Sequence, residues 1–233
     1  MISLNKPSPE KCEQCLFKKL VRQYINEEEF QLLYNNTTQL RFKKGEYILK
    51  QNSQFGHIVF LSKGCVKFNY ENEFGKNLIL TIVNAPRLLG GMNVFNDAVN
   101  MFSIIAIEES EACLIDINVL KNLALKNSLL ALRLIEFATS MFKDSILNFI
   151  SLAHKHVNGR VAEILIYLSE KIYNNDEFEI TLTRKELAEF AGCSSENIIN
   201  TLSRFDKEGI ISSDGKNIKI LDKKRLLEIN RLG

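Results

Sequence analysis

Between residues 38 and 118, the hydrophobic positions come in short runs that glycines separate. The runs read HIVFL, CVKFNY, NLILTIV, FSIIAI and ACLIDI. Short apolar or alternating runs at intervals of about 8–12 residues are typical of the strands of an all-β roll or barrel. The segment NEFGKN lies between two of these runs and predicts a hairpin turn. We therefore expect this part of the chain to form a β-roll.

The stretch before the roll, residues 9–36, has a helical pattern. It contains NEEEFQLLYNN, in which Asn26 is the expected N-cap. The three acidic residues that follow it complement the positive end of the helix dipole.

Beyond residue 125 the hydrophobic positions change to a spacing of three and four, which is the period of one helix face. The residues of this face are Ile135, Ala138, Phe142, Ile146, Phe149 and Leu152. A second apolar stripe beside it begins with Leu134, Phe137 and Met141. Two stripes are more apolar surface than one roll covers, so we expect the helix to pack against its copy in a homodimer. Burial within its own chain is the alternative.

The C-terminal third begins with the amphipathic helix pattern VAEILIYLSEKIY, and NNDEFEITLT then predicts a turn and a short strand. Thr183 stands three residues before Glu186, which is the spacing of a capping box at a helix start. This helix should end at Gly192. A second helix, capped by Ser194 or Ser195, carries apolar residues and ends at a further glycine. Its apolar residues are Ile198, Ile199, Leu202 and Phe205.

Two helices joined by so short a turn fit a helix-turn-helix, whose second helix enters the major groove of DNA. The following stretch, IISSDGKNIKIL, has two β runs around Asp214 and Gly215, which predicts a hairpin. A helix-turn-helix with such a hairpin is a winged helix.

Composition adds limits rather than a function. Hydrophobic residues at 45% and charged residues at 25% describe an ordinary globular protein of 233 residues. No apolar run approaches the roughly 18 residues of a membrane span, and the N-terminus MISLNKPSPEK has no signal-peptide pattern. Five cysteines, an odd number, indicate no disulfide framework. We therefore expect a cytoplasmic protein without a membrane partner.

The charge balance does not by itself indicate nucleic acid. Residues 156–233 hold 12 Lys and Arg against 13 Asp and Glu, whereas from 204 onward the count is 8 against 5. Binding to DNA would therefore depend on clustered rather than abundant basic residues.

Enzyme motifs are missing from the sequence. It contains no G-x-S-x-G, no P-loop, no H-E-x-x-H and no convincing pair of Cys and His. We therefore expect no enzyme and assign no catalytic residue.

Two long stretches resemble one family. LTRKELAEFAGCSSENIINTLSRFDKEGIISSDGKNIKI resembles the DNA-binding domain of the cAMP receptor protein / fumarate–nitrate reduction regulator (CRP/FNR) family, and RFKKGEYILKQNSQFGHIVFLSKGCVKFNYENEFGKNLILTIV resembles its sensory β-roll. The resemblance implies an α+β chain: a cyclic-nucleotide-binding-like jelly roll with an N-terminal helix at 1–125, a dimerisation helix at 126–155 and a winged helix-turn-helix at 156–233. It also implies double-stranded DNA as partner, and RNA polymerase if the protein is an activator.

The same resemblance assigns roles to individual residues. It places Ser195, Glu196, Asn200 and Arg204 against DNA bases, and Thr183, Arg184, Ser194, Asn197 and Lys216 against phosphates. Glutamate accepts a hydrogen bond from a cytosine amino group, and Glu196 can also complement the helix dipole. The position of Asn200 is commonly arginine in the family. Asparagine favours adenine, so the half-site is expected to differ from the usual one. Arg204 could reach a phosphate instead of a base.

The phosphate-binding residues of the cAMP-binding members are absent. Gly91 stands where those proteins have a glutamate, and Met101 and Phe102 stand where they have an arginine–serine pair. A thioether and a phenyl ring cannot hold a phosphodiester, so we expect no control by cyclic AMP and leave the effector unassigned. An apolar lining around Met92, Met101, Phe102 and Ile104 would suit a hydrophobic ligand or haem, or would simply fill a core.

The cysteines leave one alternative open. Cys12 and Cys15 resemble the start of the iron–sulfur ligand set of the oxygen-sensing branch. That branch has a third cysteine where this chain has Val21, and a fourth near the position of Cys113. Cys65 and Cys113 lie in strand patterns and suit small buried positions, as Cys193 does in the helix-turn-helix. We therefore predict no cofactor and no metal. Redox or iron–sulfur sensing through Cys12 and Cys15 is the alternative, and haem, with His57, His154 or His156 as ligand, is a weaker one.

Overall fold

The computed structural model describes residues 16–54, 56–89 and 99–233 of the chain. The described chain forms two compact units. The first comprises Met1–Val66 and Asn84–Lys143, and the second comprises Lys67–Val83 and Asp144–Gly233. Residues 67–83 lie inside the predicted roll in sequence, yet they belong to the same unit as the winged helix.

The first unit begins with two helices where the sequence predicted helix. They are α1, Leu16–Val21, and α2, Glu27–Asn35. Asn26 caps α2 as predicted, because its side chain accepts a hydrogen bond from the Glu29 amide while the Glu29 carboxylate accepts one from the Asn26 amide. The part of the prediction that covers residues 9–15 lies outside the described residues.

In the first unit the runs HIVFL, FSIIAI and ACLIDI form strands as predicted, and three further strands accompany them. The strands of this unit are β1, Thr37–Phe42; β2, Tyr47–Leu49; β3, His57–Lys63; β6, Arg87–Leu89; β7, Ser103–Ala106; and β8, Ser110–Asp116. One antiparallel sheet has the order β1-β8-β3-β6, and β2 pairs antiparallel with β7. In the register of the sheet, Phe60 of β3 stands opposite Cys113 of β8.

The core of the first unit lies between this sheet and the helices. Helix α3, Ile117–Lys126, is capped by Asp116 and buries Leu120 and Leu123. The ring centroids of Phe17 and Phe60 are 5.2 Å apart. Leu134 belongs to this core and is 5% exposed. The second apolar stripe of the long helix therefore begins with a residue that is buried within its own chain. For this residue the alternative prediction, burial within the chain, is correct.

The second unit contains a hairpin of β4, Cys65–Glu71, and β5, Asn77–Asn84, and the unit boundaries fall inside these two strands. The turn between them is the one that NEFGKN predicted. Gly75 has φ +72°, and the Asn72 side chain accepts hydrogen bonds from the amides of Phe74 and Lys76 at 3.0 and 2.9 Å.

The long helix α4, Ser128–His154, is unbroken over 27 residues. After it, α5, Val157–Tyr167, continues into a π-helical segment, Leu168–Tyr173, which Asn174 ends in a left-handed conformation. The short strand β9, Glu177–Glu179, then follows.

The winged helix completes the second unit. Its elements are α6, Arg184–Ala191; α7, Ser195–Lys207; β10, Ile211–Asp214; β11, Asn217–Ile220; and α8, Lys223–Leu232. The predicted hairpin is confirmed, with Asp214 paired to Asn217 across a two-residue loop that starts at Gly215, φ +57°. The sheet has the order β10-β11-β9.

Candidate nucleic-acid interface

Helix α6 begins at the predicted capping box. The Glu186 amide donates to Thr183 Oγ1 at 3.1 Å, and the Thr183 amide donates to Glu186 Oε2 at 2.7 Å. The Thr183 hydroxyl donates to the same carboxylate oxygen at 2.9 Å. Thr183 is exposed at the end of the helix where free backbone donors attract an anion.

The turn between α6 and α7 requires a glycine. Gly192 has φ +58°, and a Cβ atom there would lie 2.7 Å from Leu152 Cδ2. Arg160 Nη1 donates a hydrogen bond to the Gly192 carbonyl oxygen at 3.3 Å. Leu152, which the sequence assigned to the dimer face, therefore packs against the turn of its own helix-turn-helix.

Helix α7 is amphipathic along its whole length. Ser194 is its N-cap and accepts a hydrogen bond from the Asn197 amide at 3.1 Å, which decides between the two candidate serines. The residues that α7 buries are Ile198, Thr201, Leu202 and Phe205. The residues that it exposes on the other side include Glu196, Asn197, Asn200, Ser203 and Arg204. Ser195 is half-buried at the start of the helix.

One exposed residue of α7 is apolar and is not among the predicted DNA contacts. The Ile199 side chain is 53% exposed beside the polar face. The helical period contained the signal, because Ile198, Leu202 and Phe205 follow a spacing of four and three that excludes Ile199. An exposed aliphatic side chain on such a helix suits the methyl group of thymine.

The wing is tied to the start of α6. Arg184 Nη2 donates to the Gly215 carbonyl oxygen at 2.6 Å, and burial lowers the pKa of Arg184. Lys216, the next residue of the loop, is exposed. Arg184 thus supports the loop that presents Lys216, and its own contact with phosphate stays a prediction.

Acidic neighbours neutralise part of the basic cluster that begins at residue 204. Lys223 lies 2.9 Å from Asp176 and 3.2 Å from Glu170. The hydrogen bond to Asp176 holds the pKa of Lys223 above its ordinary value. Lys219 pairs with Glu177 at 2.7 Å. The net charge of this segment therefore overstates the positive charge available to DNA.

Two of the three described cysteines occupy buried positions, whereas Cys193 is half-buried. Cys65 and Cys113 are buried in strands, and burial, followed by the charge of Glu108, raises the pKa of Cys65 far above its ordinary value. Val21, at the third cysteine position, is buried in the core of the first unit. In the described part of the chain, no three His, Cys, Asp or Glu side chains group as a metal site requires. Cys12 and Cys15 lie outside the described residues.

The expected apolar lining of the roll is wrong in one respect. Met101 is 60% exposed, because it lies in the connection before β7 rather than in a strand. Ile104 is fully buried, and Phe102 is half-buried. Met92 and Gly91 lie outside the described residues, so their part of the prediction stays a prediction.

One face of α4 is apolar and exposed in the single chain. Ile135, Ile146 and Phe149, all predicted for the dimer face, are 44%, 40% and 70% exposed, and Ala138 is half-buried. Neighbours that extend this face are Leu132, Leu147 and Ile150. The side chain of Phe142 lies outside the described residues.

Two family models match the chain. The cyclic nucleotide-binding domain matches residues 39–127, and the Crp-like helix-turn-helix domain matches residues 159–229. Among the helices of the described ranges, none is long and apolar enough to cross a membrane.

Similar proteins are regulators. The transcriptional activator protein anr of Pseudomonas aeruginosa is 26% identical over 184 residues, which cover 77% of this chain and 75% of that protein. The anaerobic regulatory protein of Haemophilus influenzae is 26% identical over 224 residues, which cover 94% and 87%. The structure of FixK2 from Bradyrhizobium japonicum shows the same fold, with a TM-score of 0.75 at 16% identity over 83% of this chain and 97% of that one.

A cyclic nucleotide-binding-like roll, a long helix and a winged helix-turn-helix, in this order, define a class of sensory DNA-binding regulators. The chain belongs to the CRP/FNR family of transcription regulators. The predicted family, fold class and general function are therefore confirmed.

Proposed function

We propose that the protein regulates transcription as a homodimer that binds a palindromic DNA site with one α7 helix in each half-site. The observation that carries the proposal is the separation of apolar and polar residues on opposite sides of α7. Its apolar residues are buried in the winged helix, while its polar residues are exposed on the opposite side. A helix that presents exposed polar groups beside a tight turn fits the major groove.

Base recognition is assigned to the exposed side of α7. Glu196, in its first turn, accepts a hydrogen bond from a cytosine amino group, and Asn200, one turn later, forms a bidentate pair with adenine. Arg204 lies one further turn along and pairs loosely with Glu208 at 3.9 Å, a contact that DNA can displace. Ser195 contacts the base nearest the start of the helix.

Phosphate contacts are assigned to residues at the edges of this face. Thr183 and Ser194 lie at helix N-termini, where the first backbone amides of a helix favour an anion. Asn197 and Lys216 are exposed, and Arg184 lies beside Lys216 at the wing. These contacts fix the position of the protein on the duplex without reading its sequence.

The second copy of the chain is assigned to the exposed face of α4. Side chains such as Phe149 and Ile135 are apolar and point away from their own chain, and association buries them. Symmetry then places the two α7 helices on half-sites about one helical turn apart.

The remaining assignments follow from this role. RNA polymerase is the second protein partner if the regulator activates, and the cytoplasm, which holds the DNA, is its location. We assign it no enzymatic activity and no cofactor. Protein purified without oxygen should be colourless, whereas a stoichiometric iron content would favour sensing through Cys12 and Cys15. Cyclic AMP at millimolar concentration should leave DNA affinity unchanged.

Selection of binding sites from random DNA tests the proposal. The wild type should select a palindrome. Glu196→Ala should relax one base position in each half-site, by about 1–3 kcal/mol of discrimination. Lys216→Ala should weaken binding to all DNA sites alike. It should also reduce the slope of log affinity against log salt concentration by about one, the value for one phosphate contact. Lys126→Ala, at an exposed lysine of the first unit, is the matched control. Unchanged sequence and affinity in both variants would show that α7 is not the recognition helix.

A further inference from the structure

The β4–β5 hairpin contacts the helices of the second unit at three places. Lys67 Nζ lies 2.8 Å from Glu186 Oε1 of α6. The Tyr167 hydroxyl of α5 donates to the carbonyl oxygen of Ile82, and the Asn148 amide of α4 donates to that of Leu80 at 3.0 Å. The hairpin therefore packs against α4, α5 and α6, and the start of α6 is part of the candidate DNA interface.

The contact at Glu186 reaches the predicted phosphate site. One oxygen of this carboxylate accepts from Lys67, and the other accepts from both the amide and the hydroxyl of Thr183. The side chains of Lys67 and Glu186 are 10% and 19% exposed. The Glu186 carboxylate thus bridges the buried Lys67 ammonium of β4 and Thr183, the N-cap of α6. Lys67 and Glu186 are 119 residues apart in sequence.

Capping does not explain why this residue is charged. Glutamine completes a capping box as glutamate does. Burial acts to raise the pKa of Glu186, but the Lys67 ammonium and the Thr183 amide outweigh it and hold the pKa below its ordinary value. Glu186 is therefore a full negative charge at neutral pH. A negative charge next to Thr183 repels a phosphate unless a cation neutralises it.

We propose that Lys67 is a positioning residue for DNA binding, because it neutralises Glu186 and so sets the charge at the phosphate site of Thr183. This inference rests on the proposed function, in which Thr183 contacts DNA. It places a determinant of DNA affinity in a strand within the residues that the cyclic nucleotide-binding domain matches.

Single variants distinguish an ion pair that only stabilises the fold from one that controls the charge at the phosphate site, because the two roles change DNA affinity differently. Removing either partner of a buried ion pair leaves the other uncompensated and destabilises the protein. Both single variants would then weaken DNA binding. If the pair sets the charge at a phosphate site, the two variants change that charge in opposite directions, so their effects on DNA affinity have opposite signs.

The experiment measures the affinity of the full-length protein for its selected duplex and for a random duplex by fluorescence anisotropy. Lys67→Met should weaken binding to both duplexes roughly fivefold or more per half-site, which is the effect of one unit charge a few ångströms from a phosphate. Glu186→Gln should strengthen binding to both by a similar factor. The double variant should return close to the wild type, and all differences should shrink as salt is raised.

Several results would overturn the inference. Single variants that both weaken binding, or that leave it unchanged, would show a structural role, as would differences that salt does not reduce. If Lys67→Met does not fold, Lys67→Arg and Lys67→Gln replace it, and only the arginine variant should retain DNA affinity.

Lys216→Ala distinguishes this inference from the proposed function. If it weakens binding while the Lys67 and Glu186 variants do not change DNA affinity in opposite directions, only the inference about Lys67 is wrong. If it also has no effect, the proposed DNA interface is wrong.

Discussion

Gly192, which ends α6, lies directly beneath Leu152 of α4, and the Arg160 guanidinium donates a hydrogen bond to its carbonyl oxygen. The helix-turn-helix is thus held at its turn by residues from the two preceding helices. The left-handed backbone of Gly192 and the Leu152 side chain both exclude a larger residue.

Gly192→Ala should therefore destabilise the protein by roughly 1–3 kcal/mol, through backbone strain and displacement of Leu152. Gly209→Ala is the matched control. Gly209 also has a positive φ, +69°, but a Cβ atom there would meet nothing within 4 Å. Urea denaturation followed by circular dichroism measures both variants. Equal losses would mean that the contact with Leu152 contributes nothing beyond the backbone conformation.

Ile199 should contribute to the choice of DNA sequence. Because its side chain is 53% exposed, Ile199→Ala should change stability little. Its loss of apolar contact should reduce the preference for thymine at one position of each half-site by about 1 kcal/mol. Selection from random DNA with the wild type and the variant measures this preference, and Ser203→Ala, at an exposed residue on the same helix, is the control. Identical selected motifs would place Ile199 away from the bases.

Much of the winged helix was predictable because its signals are local. Thr183 and Glu186, Ser194 and Gly192 define helix ends within a few residues of sequence. The structure forms these caps, and it selects Ser194 over Ser195, which the sequence had left open. The pair of Lys67 with Glu186 was not predictable. It joins residues 119 apart, and neither residue has a neighbouring sequence pattern that indicates the other.

The long helix shows the same limit. Helical spacing separates its two apolar stripes, but it does not say what each stripe contacts. The structure packs Leu134 in the core of the first unit and Leu152 against Gly192, while Ile146 and Phe149 remain exposed. The predicted dimer face is therefore reduced to the exposed stripe. Its occupation by a second copy stays a prediction.

The exposed stripe should form the dimer seam. Phe149→Asp should convert the dimer to a monomer at micromolar concentration, because association would bury an unpaired carboxylate. Phe149 is 70% exposed in the single chain, so the variant should keep its folded structure. Sedimentation velocity measures the oligomeric state, and Lys126→Asp, at an exposed residue of α3, is the control. A wild-type protein that is monomeric under these conditions would contradict the prediction.

Glu186 should make the stability of the protein depend on pH below neutrality. Its pKa in the folded protein lies below the ordinary value of 4.5, mainly because the hydrogen bonds from Lys67 and Thr183 outweigh the opposing effect of burial. A carboxylate with a lowered folded pKa stabilises the protein above its unfolded pKa, and this stability is lost as pH falls through the folded pKa. The free energy of unfolding should therefore fall below about pH 4.5 more steeply in the wild type than in Glu186→Gln.

Lys67→Met should make this loss smaller. Without the ammonium, burial is no longer outweighed to the same degree, so the folded pKa of Glu186 rises toward its unfolded value or above it, and the stability lost between the two pKa values shrinks or changes sign. Urea denaturation between pH 3 and pH 7 should show the shallower profile, after subtraction of the profile of the Lys67→Met/Glu186→Gln double variant, which lacks the titrating group. Parallel profiles for Lys67→Met and the wild type would mean that Lys67 does not control the ionisation of Glu186.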